Sequence, residues 1–321
     1  MEPASKKMKL DTTARIRMET VVDCPLTQDV GTVNVCVGRI LEKKHTRSII
    51  LDLNSKHPIP ALSHLKRIKN DRIILCIRNT VDDVAKFLVD LNIDCTHLGD
   101  FAIVEVAKNA PITRKQFESA NAKWPCNFHE DKQLEKLVNN IFSVEELDLH
   151  EKWMRVAVKT AKEFGRICAS VVVDPSTDSL VAKSADNRDN HPMQHSVMLA
   201  VDLVARSQGG GAWPLLSIGQ YNTVTECKVL DDPDDGPYLC TGYDVYTTRE
   251  PCIMCSMALI HSRAKRVFYG APSKNGSLGS TAKIHTVKEL NHHYQAFRGL
   301  LREDCERLFD KSVVSNKQST S

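Results

Sequence analysis

Cys252 and Cys255 stand three residues apart in the stretch Arg249-Glu250-Pro251-Cys252-Ile253-Met254-Cys255, directly after a proline suited to a first helical turn. One turn of helix carries both sulfurs to the same side, where they can share one metal ion. Amides at a helix N-terminus lower a thiol pKa, and thiolates favour zinc. A Cys-x-x-Cys pair alone also reads as an ordinary buried helix start. The third donor is His195, and the 56 residues between it and Cys252 mean that the site would join two distant helices rather than close a local finger. Cys126 and His129 share a ligand-like spacing but have no second pair nearby. His191 lies four residues before His195, yet Pro192 falls between them and breaks the helical register such a pair needs.

The surrounding pattern sets these residues in place. Residues 243–248 read as an apolar strand, the Pro-Cys-x-x-Cys segment as the start of a helix running to 260, and 265–269 as another strand, while a polar loop at 185–194 leads into a helix that opens at His195. This layout matches the zinc deaminase signature of H-x-E followed by P-C-x-x-C. The departure is His195-Ser196-Val197: the glutamate expected two residues after the histidine is not a ligand but moves protons, and valine cannot. Met198, Leu199 and Ala200 carry no titratable group, and Asp202 lies about two helical turns onward. A metal site can therefore persist where the acid–base step is missing.

With Asn187-Arg188 ahead of the site and Leu290-Asn291-His292-His293-Tyr294 near the end, the chain resembles the catalytically silent subunits of eukaryotic heterodimeric tRNA adenosine deaminases, enzymes that convert wobble adenosine to inosine. The resemblance rests on motifs within residues 150–300. It implies Zn2+ on His195, Cys252 and Cys255, Val197 at the place of the catalytic glutamate, and Asn187 as the pocket asparagine. It also implies a cytidine-deaminase-like α/β/α fold, a catalytic deaminase-fold partner in a heterodimer, and tRNA as the ligand. The segment holding His292 and His293 would serve structure or partner contact rather than catalysis.

At 321 residues the chain suggests about two domains, and 42% hydrophobic with 26% charged residues is a globular composition. No run approaches the roughly 18 apolar residues of a membrane span. Eleven cysteines without a signal peptide point to reduced thiols in cytoplasm and nucleus. A net charge of +3 is too small to argue for nucleic acid, so any such reading depends on where the charge sits.

The expected organisation is a disordered basic tail at 1–12, a small α/β domain at 13–107 with a ferredoxin-like sandwich as its candidate arrangement, and a linker with short helices at 108–148. The deaminase-like domain follows at 149–310, with an insertion at 206–240, and a mobile tail closes the chain at 311–321. In the front domain residues 32–41, 48–53, 72–78 and 101–106 read as strands, and 59–69 and 81–91 as helices; near the end a helix is expected within 290–309. Lys43, Lys44 and Arg47 cluster on one loop, beside His45, and Lys66, Arg67, Lys69 and Arg72 on a helix end, where they could follow a phosphate backbone. Lys6, Lys7 and Lys9 resemble a short nuclear import signal, and the acidic 231–235 run would repel RNA.

Function thus reads first as a non-catalytic, zinc-binding subunit that supports a partner's active site and helps bind tRNA. Two alternatives stand beside it. One is an independently active nucleoside or RNA deaminase with Glu250 as borrowed base; the other is a zinc-stabilised RNA-binding scaffold without a deaminase partner.

Overall fold

The computed structural model describes residues 18–78, 83–94, 96–213, 226–227 and 236–309. The basic tail, the closing tail and the 231–235 run lie outside the described residues, as does most of the 206–240 insertion. The chain divides into two compact units, Cys24–Asn139 and the rest. Strand β1 (Glu19–Val21) precedes the smaller unit in sequence but is a strand of the larger unit's sheet.

In the smaller unit the elements run α1 (Cys24–Thr27), β2 (Thr32–Ile40), α2 (Thr46–Lys56), β3 (Ile68–Lys69), β4 (Arg72–Ile77), α3 (Val84–Asp90) and β5 (Leu98–Ala107). From β2 onward this is a β-α-β-β-α-β order, and the antiparallel sheet β3-β4-β2-β5 has the ferredoxin-like arrangement. Alternation along β4 sends Ile73 and Leu75 toward Ile49, Leu53 and Leu88 of the two helices, while Ile74 joins Val35 and Val37 against Leu62, Leu65 and Trp124.

Two expectations fail here. Residues 48–53 are helical, not a strand: the β-branched run suggests extension, but Ile49 and Leu53 four apart give α2 one buried face. Residues 59–69 are not one helix; a short 3-10 turn at Pro60–Leu62 is followed by the β3–β4 hairpin, whose turn places Asn70 at φ 56°.

Residues 108–139 carry the expected short helices, and part of the segment packs into the smaller unit's core. Helix α4 (Arg114–Lys123) starts with a Thr113/Gln116 capping box, and α5 (Lys132–Val138) follows. Ala120, Trp124 and Cys126 are buried in the smaller unit's core, and Trp124 Nε1 donates to Lys66 O at 2.6 Å. A capping box at Ser143/Glu146 then opens α6 (Val144–Glu163), ahead of the expected domain start at 149.

The larger unit continues with β6 (Ala169–Asp174), β7 (Ser179–Ala185), α7 (Ser196–Ser207), β8 (Glu226–Cys227), β9 (Asp244–Arg249), α8 (Ile253–His261), β10 (Arg266–Ala271) and β11 (Gln295–Arg298). Its sheet is ordered β1-β11-β10-β9-β6-β7-β8, with β9, β10 and β11 parallel. Val172, Val245 and Val267 pack with Val197, Ala200 and Leu203 of α7 and Leu259 and Ile260 of α8. Their sequence neighbours turn the other way, where Tyr246, Phe268 and Phe297 stack and His150 of α6 bonds Tyr246. The result is the expected α/β/α layering. The segment 290–309 is not one helix: β11 extends the parallel sheet with Ala296 and Phe297 buried, and helix begins only at 302.

Candidate metal centre

Strand β9 delivers Glu250, Pro251 and Cys252 to the start of α8, where Cys252 is the N-cap and Cys255 lies in the first turn. His195 is the N-cap of α7. The helix starts therefore meet: His195 Nδ1 is 3.7 Å from Cys252 Sγ and 3.6 Å from Cys255 Sγ, and the three donor atoms lie within 4.8 Å of one another. Donor separations of this size suit tetrahedral coordination with bonds of about 2.0–2.3 Å, and two sulfurs with one imidazole suit zinc. The thiol of Cys255 donates to Cys252, which, with the amides of Cys255 and Met254 and the charge of His195, holds Cys252 at about 5. Cys255 is pushed far above the usual thiol range by making that bond and by burial. A cation at the site would bind both as thiolates.

Hydroxyl groups hold the histidine segment from behind. Ser184 Oγ donates to Ser196 O at 2.6 Å, and Ser170 Oγ lies 2.8 Å from Ser196 Oγ and 3.3 Å from Thr247 Oγ1. Val197 is 3% exposed and belongs to the core shared by α7 and α8. It also lines a cavity of about 190 Å³ together with His195, Cys252, Cys255, Arg188 and Arg249. Asp186 bonds Arg188 at 2.8 Å on that cavity's wall. Asn187 is fully buried: its amide and Nδ2 bond Gln194, while Oδ1 has no partner.

Glu250 lines the same cavity, with its carboxylate engaged by a loop. Its carboxylate is 4% exposed and accepts from the amides of Ser273, Leu278 and Ser280, at 2.9–3.0 Å, and from Ser280 Oγ. The loop so held returns to the start of α8: Gly276 pairs with Cys252, and Ser277 N donates to Pro251 O at 2.9 Å. A Cβ on Gly276 would sit 2.1 Å from Glu250 Cδ, so only glycine fits. The run of Gly and Ser at 271–280 signals a loop, but nothing in the sequence tells that it wraps Glu250.

The basic residues divide. Lys43 and Lys44 are exposed on a 3-10 turn, with Lys44 paired to Glu42 at 2.6 Å, and Arg47 is exposed on α2. Lys66 and Arg72 are also exposed. Arg67 and Lys69 turn inward instead. Arg67 donates to Ile74 O at 2.8 Å and His57 O at 3.2 Å, and Lys69 Nζ to Lys123 O at 2.6 Å at the end of α4. Both side chains are thus engaged by backbone carbonyls. His292 and His293 likewise bond the carbonyls of Ala264 and His285.

Two family descriptions match this chain. The cytidine and deoxycytidylate deaminase zinc-binding region covers residues 147–271, and the tRNA-specific adenosine deaminase TAD3 N-terminal domain covers 33–124. A Danio rerio protein named "Probable inactive tRNA-specific adenosine deaminase-like protein 3" is 38% identical, spanning 96% of this chain and 99% of its own. The Homo sapiens protein of that name is 40% identical over 87% of this chain and 88% of its own. The Schizosaccharomyces pombe "tRNA-specific adenosine deaminase subunit tad3" is 30% identical over 85% and 86%. With both of its units matched and these relatives aligned over most of their length, the chain belongs to the family of tRNA-specific adenosine deaminase TAD3 and its inactive-like animal members.

Proposed function

We propose that this chain is the non-catalytic, zinc-binding subunit of a heterodimeric tRNA adenosine deaminase that converts wobble adenosine to inosine. The observation that carries the reading is Val197. The donors His195, Cys252 and Cys255 are assembled beside a cavity, yet the position that would move protons holds a buried valine. Glu250 does not replace it, because each carboxylate oxygen already accepts two hydrogen bonds.

Zinc on the three donors would serve as a structural tie between the starts of α7 and α8. Around it, the hydroxyls of Ser170 and Ser184 orient the histidine segment, and Glu250 holds the loop that backs Cys252. A catalytic deaminase-fold partner supplies the chemistry, and this chain keeps that partner's site in shape. Asn187, buried with an unpaired Oδ1 between the cavity-lining residues Asp186 and Arg188, takes the place of the pocket asparagine. The smaller unit helps capture tRNA through Lys43, Lys44, Arg47, Lys66 and Arg72, positioning an anticodon arm whose wobble base must leave its stack. The complex works in cytoplasm and nucleus, with Lys6, Lys7 and Lys9 as import signal; among the described residues no helix is long and apolar enough to cross a membrane.

Inosine formation on a wobble-adenosine tRNA, measured for the purified chain alone and after co-expression with a deaminase-fold partner, tests this. Activity is expected only in the co-expressed sample, with zinc present in the lone chain as well. Activity in the lone chain would overturn the reading of Val197.

A further inference from the structure

Away from the centre described above, one other set of metal-binding side chains converges among the described residues: Glu42, His45 and His97. The ladder between β2 and β5 brings them together, since Ile40 pairs with Leu98 and Leu41 N donates to His97 O at 2.9 Å. The 3-10 turn Lys43–His45 then folds His45 back over the strand end. The two imidazoles stack with centroids 3.7 Å apart and planes 6° from parallel. His45 Nε2 lies 3.8 Å from Glu42 Oε2, and His97 Nδ1 lies 3.9 Å from Glu42 Oε1. Each ring nitrogen thus faces its own carboxylate oxygen across a gap too long for a hydrogen bond. Two metal–ligand bonds of about 2.0–2.2 Å each span such a gap with little adjustment.

We propose that Glu42, His45 and His97 form a second metal site, for a borderline divalent cation of the zinc and nickel class. Two imidazoles and one carboxylate are a donor set that these ions accept, with further positions left to water. The rings are 32% and 28% exposed, so rotation about χ2, which is broad for histidine, can bring their lone pairs onto one ion. Glu42 exchanges its contact with Lys44 for the ion, and that exposed pair contributes little. The bound ion staples the end of β2 to the start of β5 through side chains, beyond the last rung of the ladder that pairs these strands.

The test is a zinc count on the full chain equilibrated with micromolar Zn2+, for the natural sequence and for a His45→Ala/His97→Ala double variant. The natural chain should hold one more zinc per chain than the double variant. Glu42→Gln, which keeps the shape and removes the charge, should weaken that extra ion by about tenfold or more without changing the circular dichroism spectrum. Cobalt separates this site from the thiolate centre. The difference spectrum between natural chain and double variant should show weak d–d bands and no sulfur-to-metal charge transfer. Equal zinc counts, or a sulfur charge-transfer band in the difference, would overturn the assignment.

Discussion

In the larger unit the side chains that could do chemistry are held from behind: His195 and both cysteines start helices, hydroxyls orient the histidine segment, and a loop closes on Glu250. In the smaller unit the basic residues that looked alike in sequence have divided, some lying open and Arg67 and Lys69 tied to carbonyls. The contrast teaches that spacing identifies a side chain whose role requires burial, because burial demands specific partners. Surface charge carries no such demand, so a lysine's purpose depends on which carbonyls the fold brings near it.

The largest effect is expected at the metal donors. Cys255→Ser or His195→Ala should remove the zinc of the thiolate centre and unfold the larger unit at lower temperature, since structural zinc binds with apparent energies of about 10–16 kcal/mol. Metal counting with thermal unfolding checks this. A variant that keeps its melting temperature without zinc would show that the centre is not held together as a unit.

Next comes the loop behind Cys252. Gly276→Ala must displace Glu250 and should cost about 3 kcal/mol in urea unfolding. Glu250→Gln keeps the shape but turns one accepting oxygen into a donor facing donors, and about 1–3 kcal/mol is expected. If Glu250→Gln instead abolished activity of the assembled complex with stability and zinc unchanged, the carboxylate would be catalytic after all.

Acid should distinguish the sheet's far face. Burial, helped by the charge of Arg266, holds His150 down to about 3 from its ordinary 6.5. The unfolded chain takes up this proton near pH 6.5 and the folded chain does not. The stabilisation is therefore full above pH 6.5 and declines as pH falls toward 3, by about 1.4 kcal/mol per pH unit. His150→Phe should flatten that part of the pH–stability curve; an unchanged slope would assign it to other groups.

The smallest effects sharpen the division among the basic residues. Replacing Lys43, Lys44 and Arg47 together by Ala should leave stability within about 0.5 kcal/mol. The same change should lower the salt slope of tRNA binding by about 0.7–0.9 for each phosphate no longer neutralised. Arg67→Met should do the reverse, costing about 1–3 kcal/mol of stability with the salt slope unchanged. A slope that moved equally in both would erase the difference between open and inward-turned cations.

Strongly patterned elements were legible. Alternation in 32–41, 72–78 and 101–106 marks β2, β4 and β5, and the proline before Cys252 marks the start of α8. The errors fall where local preference and tertiary packing disagree. The run Ser48-Ile49-Ile50-Leu51 prefers extension in isolation, yet burying Ile49 and Leu53 on one face outweighs it. Near the end, a helical pattern gives way to β11 because β10 and β1 offer hydrogen-bonding edges on both sides.

The sequence by itself determined which side chains are candidate donors, their order, and that valine stands two residues after His195, because Pro-Cys-x-x-Cys and His-x-Val are fixed by residue type and by helical spacing of only a few residues. Only the tertiary structure decided that β1 completes the larger sheet, that Glu250 anchors a loop, that Arg67 and Lys69 bond backbone carbonyls, and that Glu42 and His97 meet. Each of those depends on segments far apart in the chain, and no local preference encodes a contact whose partner arrives only when distant strands pair.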